Sequence, residues 1–429
     1  MKKITVAAFL AFWSVISFAQ VVPFETLQSF SKEINDFQKN ANGKIYADGQ
    51  AYYEVSFPET SFNVNFHNQL ATKVVYKKNG DKETLEVTEN IDFSQATEFK
   101  DMAYGGLVGT IRIYFPVGSV KTKYYENGEL KHSYSETYVE IFYDKANNND
   151  KYICTAKLCE LISIIKETQN KPFEDWLLQS YYHNRFAKNA KFKMADNFKL
   201  ESQLDRLIDR NNKFAIYEKG REFRILEDNI NARIYLQKAI DLGNYDGYFW
   251  LAFTYFQSNR EEYTRLTQKG IDLDGFHSLV SSADWDYARF ENFRNAIYLV
   301  EKAISVGNPD RLIFNIYYKK LIEYYIKNKE YEKVKKILSS EAIFESGLSE
   351  TDIIELSYTL LKESGNCKEA ETLLNQTTNG IYTNEVKKSA YEKLKYLYKW
   401  GCKGTKGNKV SKNKKLAQEA AIKIYELSK

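Results

Sequence analysis

Two stretches decide the fold: NARIYLQKAIDLGN at residues 231–244 and NFRNAIYLVEKAISVGN at 292–308. Set in register with an offset of 64 positions, they share Asn231/Asn295, Ala232/Ala296, Lys238/Lys302, Ala239/Ala303, Ile240/Ile304, Gly243/Gly307 and Asn244/Asn308. A weaker copy lies between them. QKGIDL at 268–273 repeats QKAIDL at 237–242, so the spacings are 31 and 33 residues. A fixed period in that range marks stacked helical hairpins, because one hairpin cannot bury its apolar face alone and must cover it with a neighbour.

The pattern works outward from these copies. Small residues (Ala232, Ala239, Ala252, Ala296, Ala303) let helices approach closely, and Leu236, Trp250, Tyr255, Leu299 and Tyr325 fill the space between them. Gly243 and Gly307 stand just past expected helix ends, where a left-handed conformation costs glycine little. The helical pattern runs from residue 172 to the end, with only Pro172 and Pro309 to interrupt it.

The stretch 232–255 resembles a Sel1-like repeat, a subclass of the tetratricopeptide superfamily, through Ala232, Tyr235, Leu236, Lys238, Ala239, Ile240, Gly243, Leu251, Ala252 and Tyr255. LIEYYIKNKEYEKVKKIL at 321–338 is closer to a plain tetratricopeptide, with Leu321, Tyr325, Tyr331 and Val334 at the packing positions. YLYKWG at 396–401 and KVSKNKKLAQEAA at 409–421 resemble a further Sel1-like loop and second helix. Ile322 departs from the pattern, standing where a small residue is usual. The resemblance covers residues 195–429 in five or six irregular units. It implies an α-solenoid that acts as a scaffold or adaptor for protein partners, along its concave face.

Upstream the period changes to two. Residues 21–43 read as a short amphipathic helix through Leu27, Phe30, Ile34 and Phe37, stopped by Asn42-Gly43. KIYADGQAYYEVSF, TSFNVNFH, GTIRIYFP and TYVEIFYD alternate as strands do. VVYKKNGDKETLEV and KTKYYENGELKHSYS carry Asn79-Gly80 and Asn127-Gly128 between alternating runs, each a hairpin signal of type I′. YYENGELK at 124–131 resembles the hairpin of MORN-type repeats, in a single copy that an ordinary tight hairpin accounts for. The expected unit is a mainly antiparallel β domain of six to nine strands, capped by a helix at 157–168 that buries Leu158, Leu161, Ile162 and Ile165.

The expected organisation is α+β and multidomain: a signal peptide at 1–19, a β-rich domain with flanking helices at 20–170, and the repeat domain at 171–429. Lys2 and Lys3 precede the apolar ITVAAFLAFWSVISF, which is short for a bilayer span, and Ser17-Phe18-Ala19 supplies a cleavage site before Gln20. This predicts export to a periplasm or beyond. No later segment is apolar enough to span a membrane. Without the leader's two lysines, the formal net charge falls from +4 to +2, which does not argue for nucleic acid.

Four cysteines in an exported chain suggest two disulfides among three possible pairings. The local pairs are Cys154 with Cys159, and Cys367 with Cys402 at the ends of neighbouring antiparallel helices. No CxxC spacing accompanies them, so zinc is not expected. His67, His132, His183 and His277 lie in no ligand spacing, and no nucleophile elbow, P-loop or dinucleotide fingerprint occurs. No catalytic residue, metal or cofactor is therefore expected.

Asp241, Asp246, Asp272, Asp274, Asp284 and Asp286 read as helix ends and caps in preference to a hydrolytic carboxylate pair. Trp285 and Tyr287 form a candidate exposed platform. Lys403, Lys406, Lys409 and Lys412, within a run from Lys399 to Lys415 free of acidic residues, form a candidate basic surface. The expected function is protein binding, in envelope assembly or as a periplasmic immunity or inhibitor protein. Recognition of carbohydrate or another envelope polymer by the β domain is the alternative, and an enzyme comes third.

Overall fold

A computed structural model describes residues 22–48, 51–102, 106–147, 149–189, 197–338, 348–380, 382–404 and 408–428. The expected leader at 1–19 lies outside the described residues. The chain opens with helix α1, Phe24–Asn40, which buries Leu27, Phe30 and Ile34, with Phe37 packed at the margin.

Ten strands follow: β1 (Lys44–Asp48), β2 (Ala51–Ser56), β3 (Phe62–Val64), β4 (Ala71–Asn79), β5 (Lys82–Ile91), β6 (Glu98–Met102), β7 (Val108–Tyr114), β8 (Val120–Glu126), β9 (Glu129–Glu136) and β10 (Tyr138–Asp144). They form one sheet in the order β10-β7-β1-β2-β4-β5-β8-β9, with β3 beside β4 and β6 beside β7. Every pairing is antiparallel except a short parallel one where Tyr46 meets Val108. Both expected hairpins form. Asn127 and Gly128 are the two loop residues, and both have positive φ, as a type I′ turn requires. In the other hairpin Asn79 still pairs, with Lys82, so the loop is Gly80-Asp81 and only Gly80 has positive φ.

The first and last strands of the sheet, β10 and β9, are joined by Thr137 alone. A flat sheet would hold them roughly 30 Å apart at about 4.8 Å per strand, so the sheet must curl on itself. Contacts across the lumen agree: the Lys73 ammonium on β4 lies 4.8 Å from the Phe142 ring centre on β10. One face of the curl packs against α1 and the next helix, α2 (Asp150–Thr168), through Ile111, Ile113, Val139 and Ile141. The expected stripe Leu158, Leu161, Ile162 and Ile165 is fully buried there. The other face encloses Tyr46, Val55, Phe57, Val75, Val108 and Phe142.

The rest is helical. After α3 (Glu174–Asn189) and α4 (Asn197–Ile208) come six antiparallel hairpins among the described residues. They are α5–α6 (Lys213–Ile225, Asn229–Asp241), α7–α8 (Gly247–Phe253, Arg260–Asp272), α9–α10 (Phe276–Ser282, Phe293–Val306), α11–α12 (Arg311–Lys327, Tyr331–Leu338), α13–α14 (Glu350–Glu363, Cys367–Asn379) and α15–α16 (Asn384–Trp400, Lys414–Glu426). The fold is thus a β-rich domain followed by an α-solenoid. Asn212, Asp228, Asn259, Asn292, Thr383 and Asn413 each cap a helix by accepting from a backbone N–H of its first turn. Ala232, Ala239, Ala252, Ala296 and Ala303 are completely buried at the seams. Gly243 and Gly307 both take φ near +80° just past their helices.

Candidate functional site

The first helices of successive hairpins touch one another (α5 with α7, α7 with α9, α11 with α13, α13 with α15), which places them on the inner side of the curve. That side is not left open. Helix α3 lies against it, and a single guanidinium measures the curvature. Arg185 on α3 bonds Glu218 on α5 and, at 2.6 Å, Asp310 at the start of α11. Arg221 also reaches Glu218, at 2.9 Å. Gln179 of α3 donates to the Pro309 carbonyl at 2.6 Å. Glu218 is almost fully buried. Burial works to raise its carboxyl, but Arg185 and Arg221 outweigh burial and hold it below the usual range. At Asp310 burial wins over Arg185, and the carboxyl is pushed up. Around this network Tyr217 accepts from the Trp250 indole at 2.9 Å and stacks on His277.

The solenoid's second half meets the β domain. Lys145, one residue beyond β10, pairs with Glu350 at the start of α13 at 2.8 Å, and both side chains are buried. Between them and the start of α15 lies a cleft of about 470 Å³, lined by Tyr143, Lys151, Tyr152, Asp352 and Glu385 among others. A second cleft, of about 330 Å³, follows the loops that begin α5, α7, α9 and α11, with Lys213, Tyr245 and Asp274 on its walls. Helix α3 and the end of β10 thus lie against parts of the solenoid's inner side.

The candidate residues separate. Trp285 sits in a π-helical turn and is 64% exposed, with Arg289 against its ring. Tyr287, two residues on, packs against the core of the α9–α13 hairpins instead. Asp284 holds that turn by accepting from Lys320 and Tyr324. Lys403, Lys409 and Lys412 are exposed, while Lys406 lies outside the described residues. Their loop is anchored by the Cys367–Cys402 disulfide and by backbone pairing of Cys402 with Val410. Trp400, near the start of the run, lies between Lys399 and Lys412, 4.9 and 6.0 Å from its ring centre.

The expected Cys154–Cys159 bridge does not form. Helix α2 begins at Asp150, seven residues earlier than the expected 157, so both cysteines stand on one helix. Five positions at about 100° each turn their side chains some 140° apart. Both are buried, and burial pushes the Cys154 thiol upward.

The repeat-turn carboxylates serve the scaffold. Asp246 accepts from the His277 backbone N–H at 2.8 Å, Asp274 pairs with Lys302, and Asp286 accepts from Ser282. His183 is buried, with Nδ1 2.8 Å from the Gln179 carbonyl. Among the described residues no group of three or more His, Cys, Asp or Glu is placed to hold a metal ion, and no helix is long and apolar enough to cross a membrane.

One surface went unread in the sequence. Ile225, Leu226, Ile230 and Ile234, at the tip of the α5–α6 hairpin and along α6, are 59–75% exposed. The signal was present: Ile230 and Ile234 are four apart and off the buried Ala232–Leu236–Ala239 face. No protein-family model matches this chain, and no curated protein matches it.

Proposed function

We propose that the protein is an exported repeat scaffold of Sel1-like or tetratricopeptide type that binds a protein partner through the outer surface of its solenoid. The observation that carries this reading is the aliphatic patch Ile225, Leu226, Ile230 and Ile234. Repeat packing consumes Ala232, Leu236 and Ala239 on one side of α6 and has no use for these four. Contiguous exposed apolar surface of this kind marks interaction sites. The Cys367–Cys402 disulfide supports an oxidising compartment, in keeping with the leader-like residues 1–19. Envelope assembly and inhibition of an envelope enzyme both fit such a scaffold.

The test is retention of a protein from envelope extract by the full chain and by an Ile230→Glu/Ile234→Glu double variant. The reading expects one protein held by the parent chain and lost from a variant with an unchanged melting temperature. Equal retention by both would remove the patch from the interface.

A further inference from the structure

The lumen of the curled sheet contains a polar cavity of about 80 Å³ near the β9–β10 link, with walls from β4, β5, β8, β9 and β10. Its charges can be followed one by one. Lys77 pairs with Glu86 at 2.9 Å. Glu140 accepts from Arg112 at 2.8 Å and from the Tyr46 hydroxyl at 3.0 Å. Two charges are then left over, Lys73 and Glu136. Lys73 is only 5% exposed, and its ammonium rests over the Phe142 ring. Neither Lys73 nor Glu136 makes an ion pair or side-chain hydrogen bond among the described residues. A buried ammonium needs acceptors, and a half-buried carboxylate needs donors.

Burial alone would bring two such groups together. Here they face the same cavity without meeting, and its volume is several times the roughly 10–15 Å³ that one water needs. The lining selects what could fill it. A simple anion would satisfy Lys73 but face Glu86, Glu136 and Glu140. A cation would meet Lys73 and Lys77. A pair of adjacent hydroxyls accepts at one oxygen, donates at the next and leaves the charge balance unchanged. Thr88 and Thr122, bonded to each other at 3.1 Å, offer further hydroxyl partners. Tyr134, 41% exposed, presents a ring beside the cavity.

We propose that this cavity binds the vicinal hydroxyls of a sugar, with Lys73 donating to one oxygen, Glu136 accepting from its neighbour, and the sugar ring lying against Tyr134. The cavity admits an edge of the ring and leaves the remainder outside, so the ligand is a terminal or side-branch sugar of a larger glycan. This site is independent of the solenoid patch and stands or falls separately from the scaffold role.

The experiment titrates the purified full chain with glucose, galactose, mannose, N-acetylglucosamine and glycerol, and separately with acetate and phosphate, by calorimetry. The expected result is saturable millimolar binding of at least one sugar, weakened tenfold or more in both Lys73→Met and Glu136→Gln. Lys73→Met removes a buried charge and should fold; its far-ultraviolet dichroism confirms that. Absence of sugar binding by the parent chain, or equal binding by both variants, overturns the proposal. Binding of acetate or phosphate in place of sugar, lost in Lys73→Met, overturns it in favour of an anion site.

Discussion

The solenoid and the curled sheet both bury cations, and they treat them in opposite ways. In the solenoid Arg185 is surrounded by carboxylates on elements far apart in sequence, Glu218 and Asp310. In the curled sheet Lys73 has a phenyl ring beneath it and makes no direct ion pair among the described residues, with the cavity's carboxylates acting only at longer range. A compensated buried charge fixes geometry, because its partners must all be in place at once. An uncompensated one lowers stability and needs another reason to be there. The first arrangement reads as architecture, the second as a site.

Removing the charge in each region should therefore act in opposite directions. Arg185→Met leaves Glu218 with Arg221 alone and Asp310 without its arginine. It should destabilise the solenoid by about 3–5 kcal/mol in urea unfolding. A loss below about 1 kcal/mol would mean that the curvature does not depend on α3.

Farther along, the solenoid is fastened covalently. The Cys367→Ser/Cys402→Ser double variant opens a loop spanning 35 residues and should cost up to about 4 kcal/mol by chain entropy. Unchanged melting would show that packing alone closes the last hairpins.

Lys73→Met should do the reverse and stabilise the β domain by about 2 kcal/mol at pH 7. Burial brings the Lys73 pKa down from 10.5 to about 8. Between these values the unfolded chain binds more protons than the folded one, so this group's contribution to stability rises with pH across that window. Its full cost is present below pH 8. The advantage of Lys73→Met should therefore shrink from pH 8 upward and vanish above 10.5, read from urea midpoints at each pH. A constant advantage would mean that Lys73 costs nothing through its charge.

The smallest effect belongs to the surface. Ile230→Glu should change stability by no more than about 0.5 kcal/mol, while affecting partner retention.

The solenoid was legible because its packing demands a period: Ala232, Ala239, Ala296 and Ala303 recur where helices must touch. The strands were legible from alternation, and Asn127-Gly128 from the φ angles it permits. The curl of the sheet was not legible, since it rests on a strand order set by pairings between strands distant in sequence, such as β10 with β7 and β5 with β8. In ATKVVYKKN the alternation does not say which set faces inward: Ala71, Lys73, Val75 and Lys77 are buried, and Thr72, Val74 and Tyr76 are the half-buried face. Val75 between two lysines was the available clue. Arg185 gave no clue, because nothing around one arginine reveals partners 33 and 125 positions away. Cys154 and Cys159 were misjudged through a helix start placed too late.

The Lys145–Glu350 junction has a bearing on how the chain is made. Its partners are about 205 residues apart. At roughly 5–20 residues per second, the β domain leaves the ribosome some 10–40 s before Glu350 does. Until Glu350 arrives Lys145 can keep its hydration, so the β domain need not carry a buried unpaired ammonium while it waits. The seam between the two halves can close only once α13 has followed.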